Sequence, residues 1–93
     1  MAKPSERVWF LWSDRQERAF VLLRYDLGHW RVEWGYRDPP GSKNTVQTGE
    51  HATSSLDEAA EWAIRQIRSL SRDPDEADDA IAKLHAALAE RHA

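Results

Sequence analysis

Apolar and polar residues alternate strictly from Trp30 to Arg37. Trp30, Val32, Trp34 and Tyr36 fall on one side, and Arg31, Glu33, Gly35 and Arg37 on the other. A period of two is that of an extended strand with one face in a core and the other in water. Burying one large aromatic ring removes about 150–250 Å² from water, about 4–6 kcal/mol at 25 cal/mol/Å² before entropy is subtracted. This strand therefore anchors the fold. Two earlier segments do not alternate. Val8-Trp9-Phe10-Leu11-Trp12 and Ala19-Phe20-Val21-Leu22-Leu23-Arg24-Tyr25 are apolar on both sides, which predicts strands covered on both faces. In the first, Val8, Phe10 and Trp12 point one way and Trp9 and Leu11 the other.

The connecting segments set the order of these strands. Ser13 to Arg18 is short and charged, a hairpin connection. Asp26-Leu27-Gly28 fits a three-residue hairpin loop with glycine in the left-handed position. Asp38-Pro39-Pro40-Gly41-Ser42 ends the third strand, because proline offers no backbone donor and glycine permits a reversal. Asn44 to Thr48 reads as a short, solvated edge strand with Val46 as its one strongly apolar residue.

Helical signals follow. Ser55-Leu56-Asp57-Glu58 is a capping box, in which Ser55 caps the third amide and Glu58 reaches back to the first. Behind it Leu56, Ala60, Ala63, Ile67 and Leu70 form one stripe at helical spacing. A second helix starts at Asp73-Pro74-Asp75-Glu76, with Asp73 as cap, Pro74 in the first turn and Glu76 closing another box. Its stripe is Ala77, Ile81, Leu84 and Leu88, and Arg91 and His92 suit its negative end. Short sequential connections place neighbours side by side. The predicted fold is α+β: a four-stranded antiparallel meander followed by two C-terminal α-helices (ββββαα), with residues 1–6 a flexible tail and 7–93 a single domain.

Composition narrows the function classes. A domain of 93 residues buries only about 60–65% of its unfolded surface, so its core must be rich per residue, and five tryptophans supply that. The absence of cysteine removes thiolate chemistry, disulfides and cysteine-ligated metals, and suits a reducing compartment. With no apolar run of signal-peptide or membrane-span length, the expected location is the cytoplasm. Net charge is −3, and the acid is concentrated late. Residues 51–93 carry five Lys/Arg against nine Asp/Glu, whereas residues 1–50 carry eight against seven. That is not the basic excess of a general phosphate binder.

Candidate chemistry is sparse. Of the four histidines only His85 and His92 share a helix, about 10 Å apart along it, too far to hold one ion from adjacent turns. No serine has the glycine frame of a nucleophile elbow, so neither a catalytic site nor a metal or cofactor is expected. The acidic residues Asp73, Asp75, Glu76, Asp78 and Asp79 sit in the first turns of a helix, where they oppose the positive end of its dipole. Trp62 lies about 120° from its helix's stripe and reads as a lid over the sheet margin.

Trp34-Gly35-Tyr36-Arg37 carries a family likeness. Hairpin-linked strands leading to a Trp-Gly element, a glycine-containing loop, a further strand and an acid-capped, alanine-rich helix resemble the WGR domain of DNA-damage-responsive poly(ADP-ribose) polymerases and small bacterial proteins, over about residues 17–70. The resemblance implies a nucleic-acid-backbone surface on Trp34, Gly35 and Arg37, to which the cations Arg31 and Lys43 would add. Tyr36 stands where arginine would follow the glycine, so Arg37 reaches the face of Trp34 only if the strand bulges.

The leading expectation is association. Two helices on one side of a sheet leave the other side bare, so either the second helix crosses to that face or Trp9, Leu11, Val21 and Leu23 form an exposed apolar patch of a size that monomers seldom carry. A homodimer, or a protein partner covering this face, follows, with Trp9 as the central anchor and no small-molecule substrate.

Overall fold

The computed structural model describes residues 6–92. Four strands, β1 (Glu6–Ser13), β2 (Ala19–Asp26), β3 (His29–Arg37) and β4 (Thr45–Thr53), precede two helices, α1 (Leu56–Leu70) and α2 (Pro74–His92). The sheet is an antiparallel meander in the order β1-β2-β3-β4, the ββββαα arrangement that the pattern predicts. Glu6 already belongs to β1 rather than to a tail, and residues 1–5 lie outside the described residues.

Both helices lie on one face. Trp12, Ala19, Val21, Leu23, Trp30 and Val32 from the sheet form a single core with Leu56, Ala59, Ala60, Ala63 and Ile67 of α1 and Ala77, Ala80, Ile81 and Leu84 of α2. Leu70 and Leu88, expected in the stripes, are half-buried at the margin of this core, and Tyr36 at the end of β3 is 48% exposed.

A bulge decides which residues of β1 reach the core. Val8 pairs with Arg24 and Phe10 with Leu23, so Trp9 is an extra residue in the ladder. Paired residues of antiparallel strands share a face, and a bulge breaks the alternation. Trp9 therefore joins Phe10 and Trp12 on the helix side, where its ring meets Trp30 edge-on at 5.8 Å and 78°. Val8 takes the other side. The expected patch of Trp9, Leu11, Val21 and Leu23 is corrected accordingly: Val21 and Leu23 are fully buried in the core, Trp9 packs against it, and only Leu11, 55% exposed, stays on the open face.

Local details also depart from expectation. The β2–β3 turn has two residues rather than three: Asp26 pairs with His29, and both Leu27 (φ 49°) and Gly28 (φ 85°) are left-handed, as a type I′ turn requires. β4 runs to Thr53, longer than its composition suggests, because it pairs along the whole of β3 and turns Gly49, His51 and Thr53 toward the helices. The Ser55 hydroxyl accepts from the Glu58 amide at 3.3 Å, but the Glu58 carboxylate accepts from the Thr53 hydroxyl and does not close a box. Likewise Asp73 caps through the Asp75 amide at 3.0 Å, while Glu76 accepts from the backbone N–H of Arg15 at 2.6 Å. The acid at the third helical position pins a neighbouring segment in both cases. The side chains of Arg91 and His92 lie outside the described residues.

Candidate functional site

The open face of the sheet divides into an apolar and a charged half. Val8 and Leu11, each 55% exposed, lie beside half-buried Leu22 and buried Phe20 on β1 and β2. Towards β3 and β4, Arg24 Nε meets Glu33 at 2.8 Å, and Arg31 Nε lies 3.9 Å from Glu50. The Arg24–Glu33 pair is the tighter and the drier, with its carboxylate only 12% exposed. These two cations and two anions cancel, and Arg37, at the end of β3 on the same side, is held by neutral acceptors. Leu22 and Phe20 fall on this side because the two-residue turn pairs Leu23 with Val32 and Val21 with Trp34, and Val8 because of the Trp9 bulge, none of which the local pattern announces.

The Trp-Gly element is organised differently from a single surface. Trp34 points to the helix side and stacks on Trp62 at 6.1 Å and 12°, and His51 stacks on Trp62 at 4.2 Å and 19°. The Arg65 guanidinium carbon lies 5.4 Å from the centre of the Trp62 ring. Trp62 is thus the lid over the sheet margin that its helical position suggests. Gly35 is buried against β4, where a Cβ would come within 2.1 Å of the Val46 carbonyl oxygen. Gly49 gives room to the Trp34 ring in the same way.

Arg37 stays on the opposite side from Trp34. The register shift between Trp34–Gly49 and Gly35–Gln47 leaves Thr48 of β4 as the extra residue, so β3 itself keeps its alternation. The Arg37 guanidinium donates to the Ser42 carbonyl at 3.1 Å and to the Ser13 hydroxyl at 3.0 Å, tying the 38–44 loop to the end of β1. Arg31 sits on the open face and Lys43 is exposed in the loop. The fold therefore does not gather Arg31, Trp34, Gly35, Arg37 and Lys43 at one place.

Among the described residues no three His, Asp or Glu side chains group as metal ligands, and no helix is long and apolar enough to cross a membrane. Comparison of the chain with family models, with curated proteins and with solved structures gives no match.

Proposed function

We propose that this protein is a small interaction module that pairs with a second copy of itself through the open face of the sheet. One observation carries the reading: α1 and α2 both cover the same face, leaving Val8, Leu11 and Leu22 of the other toward solvent. A two-fold axis lets a single patch serve both subunits. The charged half suits such a mate, since Arg24, Arg31, Glu33 and Glu50 present equal numbers of each sign and the ion pairs already formed survive contact. The same pairing commits Arg24 and Arg31, leaving Arg37 as the one cation of β3 on this face without an ion pair among the described residues, fewer than counterion release on nucleic acid needs.

Size sets the strength. Strands about 4.8 Å apart with a rise of about 3.3 Å per residue give four strands of this length a face on the order of 500 Å². Two such faces bury about 1,000 Å² in total, the range of weak, reversible complexes, so the dimer belongs in the micromolar range. Sedimentation equilibrium across that range tests it. Wild type should rise from 10.7 kDa toward twice that mass, and Leu11→Lys should stay a folded monomer. A wild type that remains monomeric at hundreds of micromolar, or a Leu11→Lys variant that dimerises like wild type, overturns the proposal.

A further inference from the structure

At the end of the sheet where α1 stops lies a hollow of about 390 Å³, lined among others by Arg18, Arg37, Arg72, Tyr36, Asp14 and Leu70. That volume is in the range of small-ligand sites. Its walls come from three places distant in sequence: the β1–β2 turn, the end of β3 with its following loop, and the α1–α2 junction.

The wall holds more donors than acceptors. Asp14 is the one carboxylate among three arginines, and its oxygens are already engaged. Oδ1 accepts from the backbone N–H groups of Arg18 at 2.6 Å and Ala19 at 3.2 Å, and Oδ2 from Arg18 Nη2 at 3.4 Å. The Nε groups of Arg18 and Arg37 are enclosed, so the donors these side chains can turn to the hollow are the outer guanidinium N–H groups; Arg37 Nη1 gives one to Ser42 and Nη2 one to Ser13, and each keeps one. Arg72 makes no ion pair among the described residues. It follows the last turn of α1, whose partial negative charge would otherwise oppose an anion.

The neighbouring hollow does not cancel this excess. It shares Asp14, Arg18 and Arg72 and adds Arg15, Asp73 and Glu76: Arg15 pairs with Asp73 at 3.8 Å, and the Glu76 carboxylate, held by the backbone N–H of Arg15 at 2.6 Å, keeps its charge and offsets part of the excess. Arg37 and Arg72 are in no ion pair among the described residues, and the two hollows together set four arginines against Asp14, Asp73 and Glu76, about one positive charge on a chain whose net charge is −3.

We infer that this hollow binds a small phosphate monoester. A dianionic phosphoryl group would partner Arg37 and Arg72, the two without an ion pair among the described residues, and accept from their remaining outer guanidinium N–H groups. Half-exposed Tyr36, with Pro40 and Leu70, forms an apolar wall for the organic group of the ester. Arg37 reaches the site from the open side of β3, but Val8, Leu11 and Leu22, the apolar part of that face, do not line it.

Phenyl phosphate, inorganic phosphate and benzoate, titrated separately while amide and arginine Nε–H resonances are followed, provide the test. Phenyl phosphate should bind most tightly and shift Tyr36 and Arg72. Arg18→Gln and Arg72→Gln, each confirmed as folded by circular dichroism, should weaken it at least about tenfold, the loss expected for one charge-assisted hydrogen bond. Tyr36→Ala should weaken phenyl phosphate about fivefold and leave inorganic phosphate unchanged. Leu11→Lys should bind as wild type does, so that failure of self-association and failure of this site are separate results. No saturable shift at tens of millimolar, benzoate binding as tightly as phenyl phosphate, or affinities unmoved by both arginine variants overturns the inference.

Discussion

Gly49→Ala measures how tightly the aromatic margin is packed. A Cβ at Gly49 would stand 2.6 Å from Trp34 Cε2 and Cζ2 and 2.7 Å from Nε1, about 1 Å inside ordinary carbon contact. The ring has no simple retreat. Trp62 stacks against it, and Trp62 in turn carries His51 and Arg65. Overpacking of this kind costs about 1–3 kcal/mol, while removing glycine from a strand returns roughly 0.5–1 kcal/mol, which leaves a net loss centred on about 1 kcal/mol and at most about 2.5 kcal/mol. For a domain of this size the central value lowers Tm by roughly 4–8 °C.

Thermal unfolding should be followed by near-ultraviolet circular dichroism, which also reports the tryptophan stack. The decisive comparison is a double-mutant cycle. Trp34→Phe removes the ring atoms that clash, so adding Gly49→Ala to it should cost less than about 0.5 kcal/mol, and the two changes should couple by about 1 kcal/mol or more. An unchanged melting point for Gly49→Ala, or the same loss in both backgrounds, would refute the steric argument.

Two further outcomes follow from local geometry. Leu27→Asn should raise stability by about 1 kcal/mol in denaturant unfolding, because Leu27 holds a left-handed backbone at 76% exposure and Asn-Gly is the preferred type I′ pair. Asp14→Ala should lower stability by about 1–3 kcal/mol and speed hydrogen exchange at the Arg18 and Ala19 amides, since the 5%-exposed carboxylate is their acceptor.

Much of the fold was legible because its signals are local. Alternation from Trp30 to Tyr36 reports a half-buried strand by itself, and Ser55 and Asp73 mark both helix starts through their own hydrogen bonds. What failed depends on partners elsewhere. Nothing in Val8-Trp9-Phe10 announces an extra residue in the ladder, yet that residue exchanges the sides of Val8 and Trp9 and moves the expected anchor into the core. β4 runs to Thr53 because pairing to β3, not apolar content, extends it. Glu58 and Glu76 looked like cap-closing residues, but Thr53 and Arg15 offer donors that no local pattern contains. Arg18, Tyr36 and Arg72 converge only after three segments meet, so their hollow had no trace in the sequence.

The meander has a consequence for how the chain is made. All four strands are translated before α1 and α2, the elements that cover Trp12, Trp30 and Val32. Sequential hairpins close quickly once emerged. At about 5–20 residues per second, the stretch from Ser54 through α2 takes roughly 2–8 s to synthesise, far longer than hairpin closure. During that interval the nascent sheet has both faces wet, one of them rich in tryptophan. The ribosome therefore holds a sticky intermediate, and a chain cut short at Thr53 keeps that condition permanently, which makes it a substrate for chaperones and proteases rather than a smaller version of the same domain.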